Sequence, residues 1–209
     1  MIVSEENLIM GMSRWHSQRS NWPDDFHNRT YFELRDANMN FEFSDEWLDS
    51  AIEPRIRLWR AYRPMKTFEI VESVRARLEE IRLAYETYIA KVRGTQFDDL
   101  TYEQVSSLPE LGYAIKPYNS AMFPSKFSHW IAPEIYPIMD GKVLGLKSGT
   151  PYENYWRMYQ RLWREQSSIE IRNRLIGILV ESIVANSRMP LFEDFPWAVK
   201  ITELCLMGS

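Results

Sequence analysis

The chain has 209 residues, 45% hydrophobic and 26% charged, values that exclude wholesale disorder and fit one compact unit or two closely joined lobes. A single cysteine, Cys205, excludes an intrachain disulfide framework and a cysteine-cluster zinc site, so the chain reads as intracellular and cytoplasmic. The net charge of −4 is unevenly spread: residues 1–53 hold 11 acids and 4 bases, residues 54–209 hold 18 acids and 21 bases. An acidic, irregular N-terminal segment on a mildly basic helical body is compatible with DNA as a partner.

The chain opens Met1-Ile-Val-Ser-Glu-Glu6, without the basic and apolar regions of a signal peptide. Strand signals are confined to Arg29–Arg35 and Phe41–Phe43, which would pair as a small hairpin. Ser44 or Asp45 caps a short helix through Trp47, Leu48 and Ile52 that stops near Pro54. The run Pro54-Arg-Ile-Arg-Leu-Trp-Arg-Ala-Tyr-Arg-Pro-Met-Lys66 carries five bases and no acid. Those bases either meet backbone phosphates or snorkel around Leu58, Trp59 and Tyr62.

Thr67 is the expected N-cap of one long helix running to Arg93, with Gly94 at C′. Its Ile70, Val74, Leu78, Ile81, Tyr85 and Ile89 form one apolar face. Thr101 caps a short element that Pro109 should stop, and Ser125 caps another that ends at Ile131, before Pro133. Asp140 should open a short helix closed by Ser148-Gly149, and Pro151 should start a periodic helix to Gln166. Ser167 or Ser168 opens a helix to about Ser187, and Pro190–Leu206 supplies a last one that Pro196 breaks or kinks. The longest apolar stretch, Leu175–Ala185, is interrupted by Gly177, Glu181 and Ser182 and is too short for a bilayer, so no membrane partner is expected. The fold class is all-α, and the oligomeric state is left open.

The chemically informative stretch is Tyr118 to Val143. Lys126 falls in the first turn of a short helix, and Asp140 follows a proline-rich connection. Burial and the positive end of a helix both disfavour a charged amine, which suits a lysine nucleophile. Asp140 at a helix start would stay ionised and could accept a proton, orient water or stabilise a cationic sugar. On the residues alone, Lys126 could equally be a solvated surface lysine and Asp140 a plain N-cap.

The order Ser-Lys, short apolar helix, Pro, then Pro-Ile-x-Asp-x-x-Val resembles the lysine–aspartate arrangement of the helix-hairpin-helix DNA glycosylases, above all their 8-oxoguanine glycosylase-like branch. Phe123-Pro-Ser-Lys126 would stand at the hairpin and Pro137-Ile-Met-Asp140 at the aspartate segment, over roughly 30 residues. The string nearest to that family's Leu-Pro-Gly-x-Gly hairpin is Leu108-Pro-Glu-Leu-Gly112. The resemblance implies a helical bundle that excises a modified base, with Lys126 as Schiff-base nucleophile, Asp140 as catalytic carboxylate and neither cofactor nor metal.

Arg157, Arg161 and Arg164 form a helical stripe suited to DNA phosphates, interleaved with Trp156, Tyr159 and Trp163. The same pattern also fits a helix with aromatics in the core and arginines in water. Ser125 and His129 are further candidate DNA contacts, with His129 also readable as structural. Trp15, Trp22, His129, Trp130 and Trp197 are candidate walls for an extruded base. Two other readings stand beside the glycosylase: a non-catalytic DNA- or protein-binding module of prokaryotic defence type, and a metal nuclease. The last rests on Pro23-Asp24 with Asp140-Gly-Lys142, a pattern that nucleases present on adjacent strands.

Overall fold

The computed structural model describes residues 1–19, 23, 28–31, 33–34, 43–117, 120–139, 149–166, 168–186 and 195–209. Among these the architecture is all-helical, with eleven α-helices and no strand. No helix among them is long and apolar enough to cross a membrane. The expected hairpin is corrected where it can be seen. Residues 28–31 and 33–34 are helical, because Tyr31 and Leu34, three apart, both turn into the core.

The acidic segment is also not irregular where described. Helix α1 (Glu5–Arg19) packs against the last helix, α11 (Trp197–Gly208), and buries Leu8 and Trp15. The two backbones come unusually close. A Cβ on Gly11 would lie 1.8 Å from the Leu204 carbonyl oxygen, and one on Gly208 would lie 1.9 Å from that of Asn7. Only glycine fits at either position. Pro196 is the N-cap of α11 rather than a kink inside it.

Ser44 caps α2 (Asp45–Trp47), its Oγ accepting the Trp47 N–H at 3.3 Å. The chain does not stop near Pro54. A π-helical turn (Leu48–Ile52) carries it into α3 (Glu53–Leu58), where Pro54 occupies the first turn and its missing N–H is not needed. The long helix expected from Thr67 is two: α4 (Thr67–Arg75) and α5 (Leu78–Lys91). At the break the Arg77 guanidinium folds back onto the Ser73 carbonyl at 3.0 Å. Thr67 is the first helical residue rather than the cap, and Glu69 Oε2 accepts the Lys66 N–H at 2.7 Å. Gly94, at φ +85°, turns the chain away after α5.

Thr101 caps α6 (Tyr102–Val105), as its sequence suggests. Pro109 terminates nothing; it sits in the first turn of α7 (Ser107–Ile115), where proline is tolerated. Helix α7 packs on α8 (Met122–Ile131), and a Cβ on Gly112 would approach Pro124 Cα to 2.6 Å. These two helices, joined through residues 116–121, frame the candidate site. Helix α9 (Tyr152–Glu165) follows Pro151 and buries Tyr152, Tyr155, Trp156, Tyr159, Leu162 and Trp163. Ser168 opens α10 (Ile169–Asn186), its Oγ accepting the Ile171 N–H at 3.4 Å.

Candidate functional site

Lys126 lies one turn into α8, half-buried, and Ser125 is inside that helix rather than capping it. The Lys126 Nζ donates to the Trp59 carbonyl at 3.0 Å and stands 6.0 Å from the Trp59 ring centre. It lines a cavity of about 600 Å³ shared with Trp59, Arg60, Arg63, Lys116 and Phe123. That volume is in the ordinary range for small-molecule sites. Four cations and two aromatic rings face this space, and among the described residues no acid lines it.

The cavity lies between the packed helices α7 and α8 and the turn after α3. Arg60 takes φ +50°, a left-handed conformation rare for a long side chain, and reverses the chain after α3. The carbonyls of Trp59, Ala61 and Arg63 are then taken by two lysines, one at the end of α7 and one on α8. Lys126 holds the first, and Lys116, which ends α7, donates to Ala61 at 2.7 Å and to Arg63. Lys116 is only 7% exposed and has no carboxylate partner among the described residues; its amine lies 5.6 Å from the Phe123 ring centre. Burial, followed by the charge of Lys126, pulls its pKa down to about 8.

The segment leading to Asp140 is pinned residue by residue. Trp156 Nε1 donates to the Ile135 carbonyl at 2.7 Å, Tyr152 to Pro137 at 2.9 Å and Tyr155 to Ile138 at 2.6 Å. From α8, His129 Nδ1 meets the Tyr136 carbonyl at 2.6 Å, and Ser125 Oγ accepts the Met139 N–H at 3.1 Å. The residue before Lys126 is thus bonded to the residue before Asp140. Asp140 itself lies outside the described residues.

These bonds correct two site assignments. Ser125 and His129 are 0% and 1% exposed, so neither can reach DNA; both hold the 135–139 segment. Burial pushes the His129 pKa down to about 3, so the ring is neutral and its Nδ1–H is the donor to Tyr136. Trp15 and Trp130 are buried in the core, Trp197 is half-buried, and Trp22 lies outside the described residues.

The arginine stripe follows the amphipathic reading. Its residues are exposed while the interleaved aromatics are buried. Arg157 is clamped by Glu153 at 2.8 Å and Glu103 at 2.6 Å, first the one and then the other raising its pKa, and Arg164 Nε donates to the Asp98 carbonyl at 2.7 Å. Of the three, Arg161 alone has no partner among the described residues. Among those residues no three His, Cys, Asp or Glu side chains gather as a metal site; Asp24, Asp140 and Lys142 lie outside them. The sequence offers no local signal for Lys116, whose role depends on partners more than fifty residues away. No protein-family model, curated protein or solved structure matches the chain.

Proposed function

We propose that the protein is a DNA glycosylase acting on a modified or damaged base. The observation that carries this reading is the placement of the Lys126 amine on the wall of a cationic, aromatic-lined cavity, with its neighbour Ser125 tethering Met139 beside Asp140. An extruded nucleotide would enter a cavity whose wall includes Trp59 and Phe123 and meet cations for its negative charge. The neutral Lys126 amine attacks C1′, the C1′–N bond breaks, and the departing base leaves with the bonding pair and takes up a proton. Opening of the sugar then transfers the O4′ bonding pair and a proton to that oxygen, leaving an imine at Lys126. Asp140 accepts the amine proton and stabilises cationic character on the sugar.

Base release from modified duplexes, revealed by alkali or heat cleavage at the abasic site, tests the reading. Asp140→Asn keeps the shape and removes the charge, so release falls by orders of magnitude while DNA affinity holds or rises. Normal turnover in that variant removes Asp140 from the mechanism. One observation favours a second reading, a non-catalytic nucleic-acid-binding module: the Lys126 amine is engaged with the Trp59 carbonyl, as a positioning cation would be. A wild-type protein that binds duplexes and releases no base decides for the module.

A further inference from the structure

Arginines elsewhere in this molecule commonly answer to an acid. Arg75 bonds Asp49 at 3.0 Å, Arg172 bonds Asp98 at 2.8 Å, and Arg55 and Arg57 pair with Glu33 and Glu53. Arg60 and Arg63 do not: neither has an ion pair or side-chain hydrogen bond among the described residues. Both are exposed at the mouth of the cavity that contains Lys116 and Lys126. Arg60, Arg63 and the Lys116 amine meet no carboxylate among the described residues, and like charges so placed raise the free energy of the folded state and concentrate positive potential at the mouth of the cleft. An anion placed there removes that cost.

We infer that the cavity is a nucleotide-phosphate site, with Arg60, Arg63 and Lys116 holding the phosphate and Trp59 and Phe123 facing the sugar or base. The nucleotide part of this ligand rests on the glycosylase reading; the phosphate part stands on the cations. Lys116 supplies a specific donor. An ammonium has three N–H groups, and two of them serve the Ala61 and Arg63 carbonyls, so one remains for an anion. The neutral amine has only two, both already engaged. Guanidinium groups at Arg60 and Arg63 add forked donors matched to phosphate oxygens.

Calorimetric titration of the full chain with thymidine 5′-monophosphate, inorganic phosphate, thymidine and an oligothymidylate tests the inference. Thymidine 5′-monophosphate and the oligothymidylate compete for one site, inorganic phosphate displaces both at higher concentration, and thymidine does not bind. Arg60→Asn suits the left-handed backbone while removing the charge, and Arg63→Gln changes an exposed side chain, so both variants fold. Each weakens the monophosphate by about tenfold, the loss of one charge-assisted hydrogen bond. Thymidine binding as tightly as its monophosphate overturns the inference, as does unchanged affinity in both variants. The glycosylase reading fails separately: nucleotide binding without base release retires the chemistry and leaves the phosphate site standing.

Discussion

Two regions of this molecule are rich in arginine, and they use it in opposite ways. On α9, Arg157 is clamped by two carboxylates and Arg164 donates to a carbonyl of the 97–99 turn. Two of the three arginines thus have their donors occupied within the protein, and among the described residues only Arg161 does not. Around the cavity, Arg60 and Arg63 have no internal partner among the described residues, and the amines of Lys116 and Lys126 donate to main-chain carbonyls. A basic stripe in a sequence therefore says little about binding until the counter-charges are located. Exposed ion pairs are weak, but they occupy the donors a phosphate would need.

The largest expected effect breaks or upholds that contrast. Replacing both Arg60 with Asn and Arg63 with Gln lowers oligonucleotide affinity by about 100-fold at low salt, two charge-assisted bonds at about 1.4 kcal/mol each. On duplex DNA the same pair flattens the salt dependence by about 0.9 logarithmic units for each phosphate no longer neutralised. Arg157→Ala with Arg164→Ala, the two partnered positions of the stripe, changes affinity by less than about twofold and leaves the slope nearly unaltered. Equal losses from both pairs would erase the distinction.

A smaller effect follows from pH. Before ligand binds, the Lys116 ammonium loses its third proton as pH rises through about 8, so affinity for a phosphodiester falls between about pH 7 and 9.5, by about tenfold if one charged hydrogen bond is lost. Arg60 and Arg63 stay charged throughout this range, and Lys126→Gln separates the contribution of Lys116 from that of its neighbour. Because the charge of Lys126 helps to lower the Lys116 pKa, the fall moves to higher pH in that variant; a profile identical to wild type contradicts the role given to Lys116. For stability the sign of the same titration is fixed. The unfolded chain binds the proton more tightly than the folded one, so ionisation of Lys116 makes stability rise with pH above about 8.

The smallest effect is a difference in sign. Arg157→Ala should lower the melting temperature slightly by removing two exposed ion pairs. Arg60→Asn should leave it unchanged or raise it, because it relieves both like-charge repulsion and an unfavourable backbone conformation. Falls of equal size in the two variants would mean that Arg60 has a structural partner in solution.

The helical character of the chain and the amphipathic face of α9 were legible because spacing alone encodes them. Local caps were legible too: Ser44 and Thr101 act where their chemistry predicts, whereas the helix expected to run to Arg93 ends at Lys91 and leaves Gly94 one position beyond C′. Proline misleads at positions 54 and 109, since a proline in a first turn opens a helix as readily as one beyond the last turn follows it. Gly11 and Gly208 carry no local signal; their necessity comes from a helix at the other end of the chain. Lys126, singled out by its sequence context, lines the cavity, but nothing in the sequence reports what surrounds it. Lys116 meets Ala61 and Arg63 across more than fifty residues of sequence, and no periodicity reports such a bond. In the sequence Ser125 reads as a helix cap and DNA contact, and His129 as either a DNA contact or a structural histidine. The structural role holds, through the main-chain atoms of Met139 and Tyr136 that a sequence does not display.

The most direct test of the account is reductive trapping. An amine that attacks C1′ passes through an imine, which borohydride reduces to a stable protein–DNA adduct. Wild-type protein incubated with its modified duplex and borohydride should yield that adduct, and Lys126→Gln should not, while still binding the duplex. Lys116→Gln should still trap, because Lys116 holds phosphate rather than the sugar carbon. Base release by wild type with no adduct, or trapping that survives Lys126→Gln, would contradict the assignment of Lys126 as nucleophile.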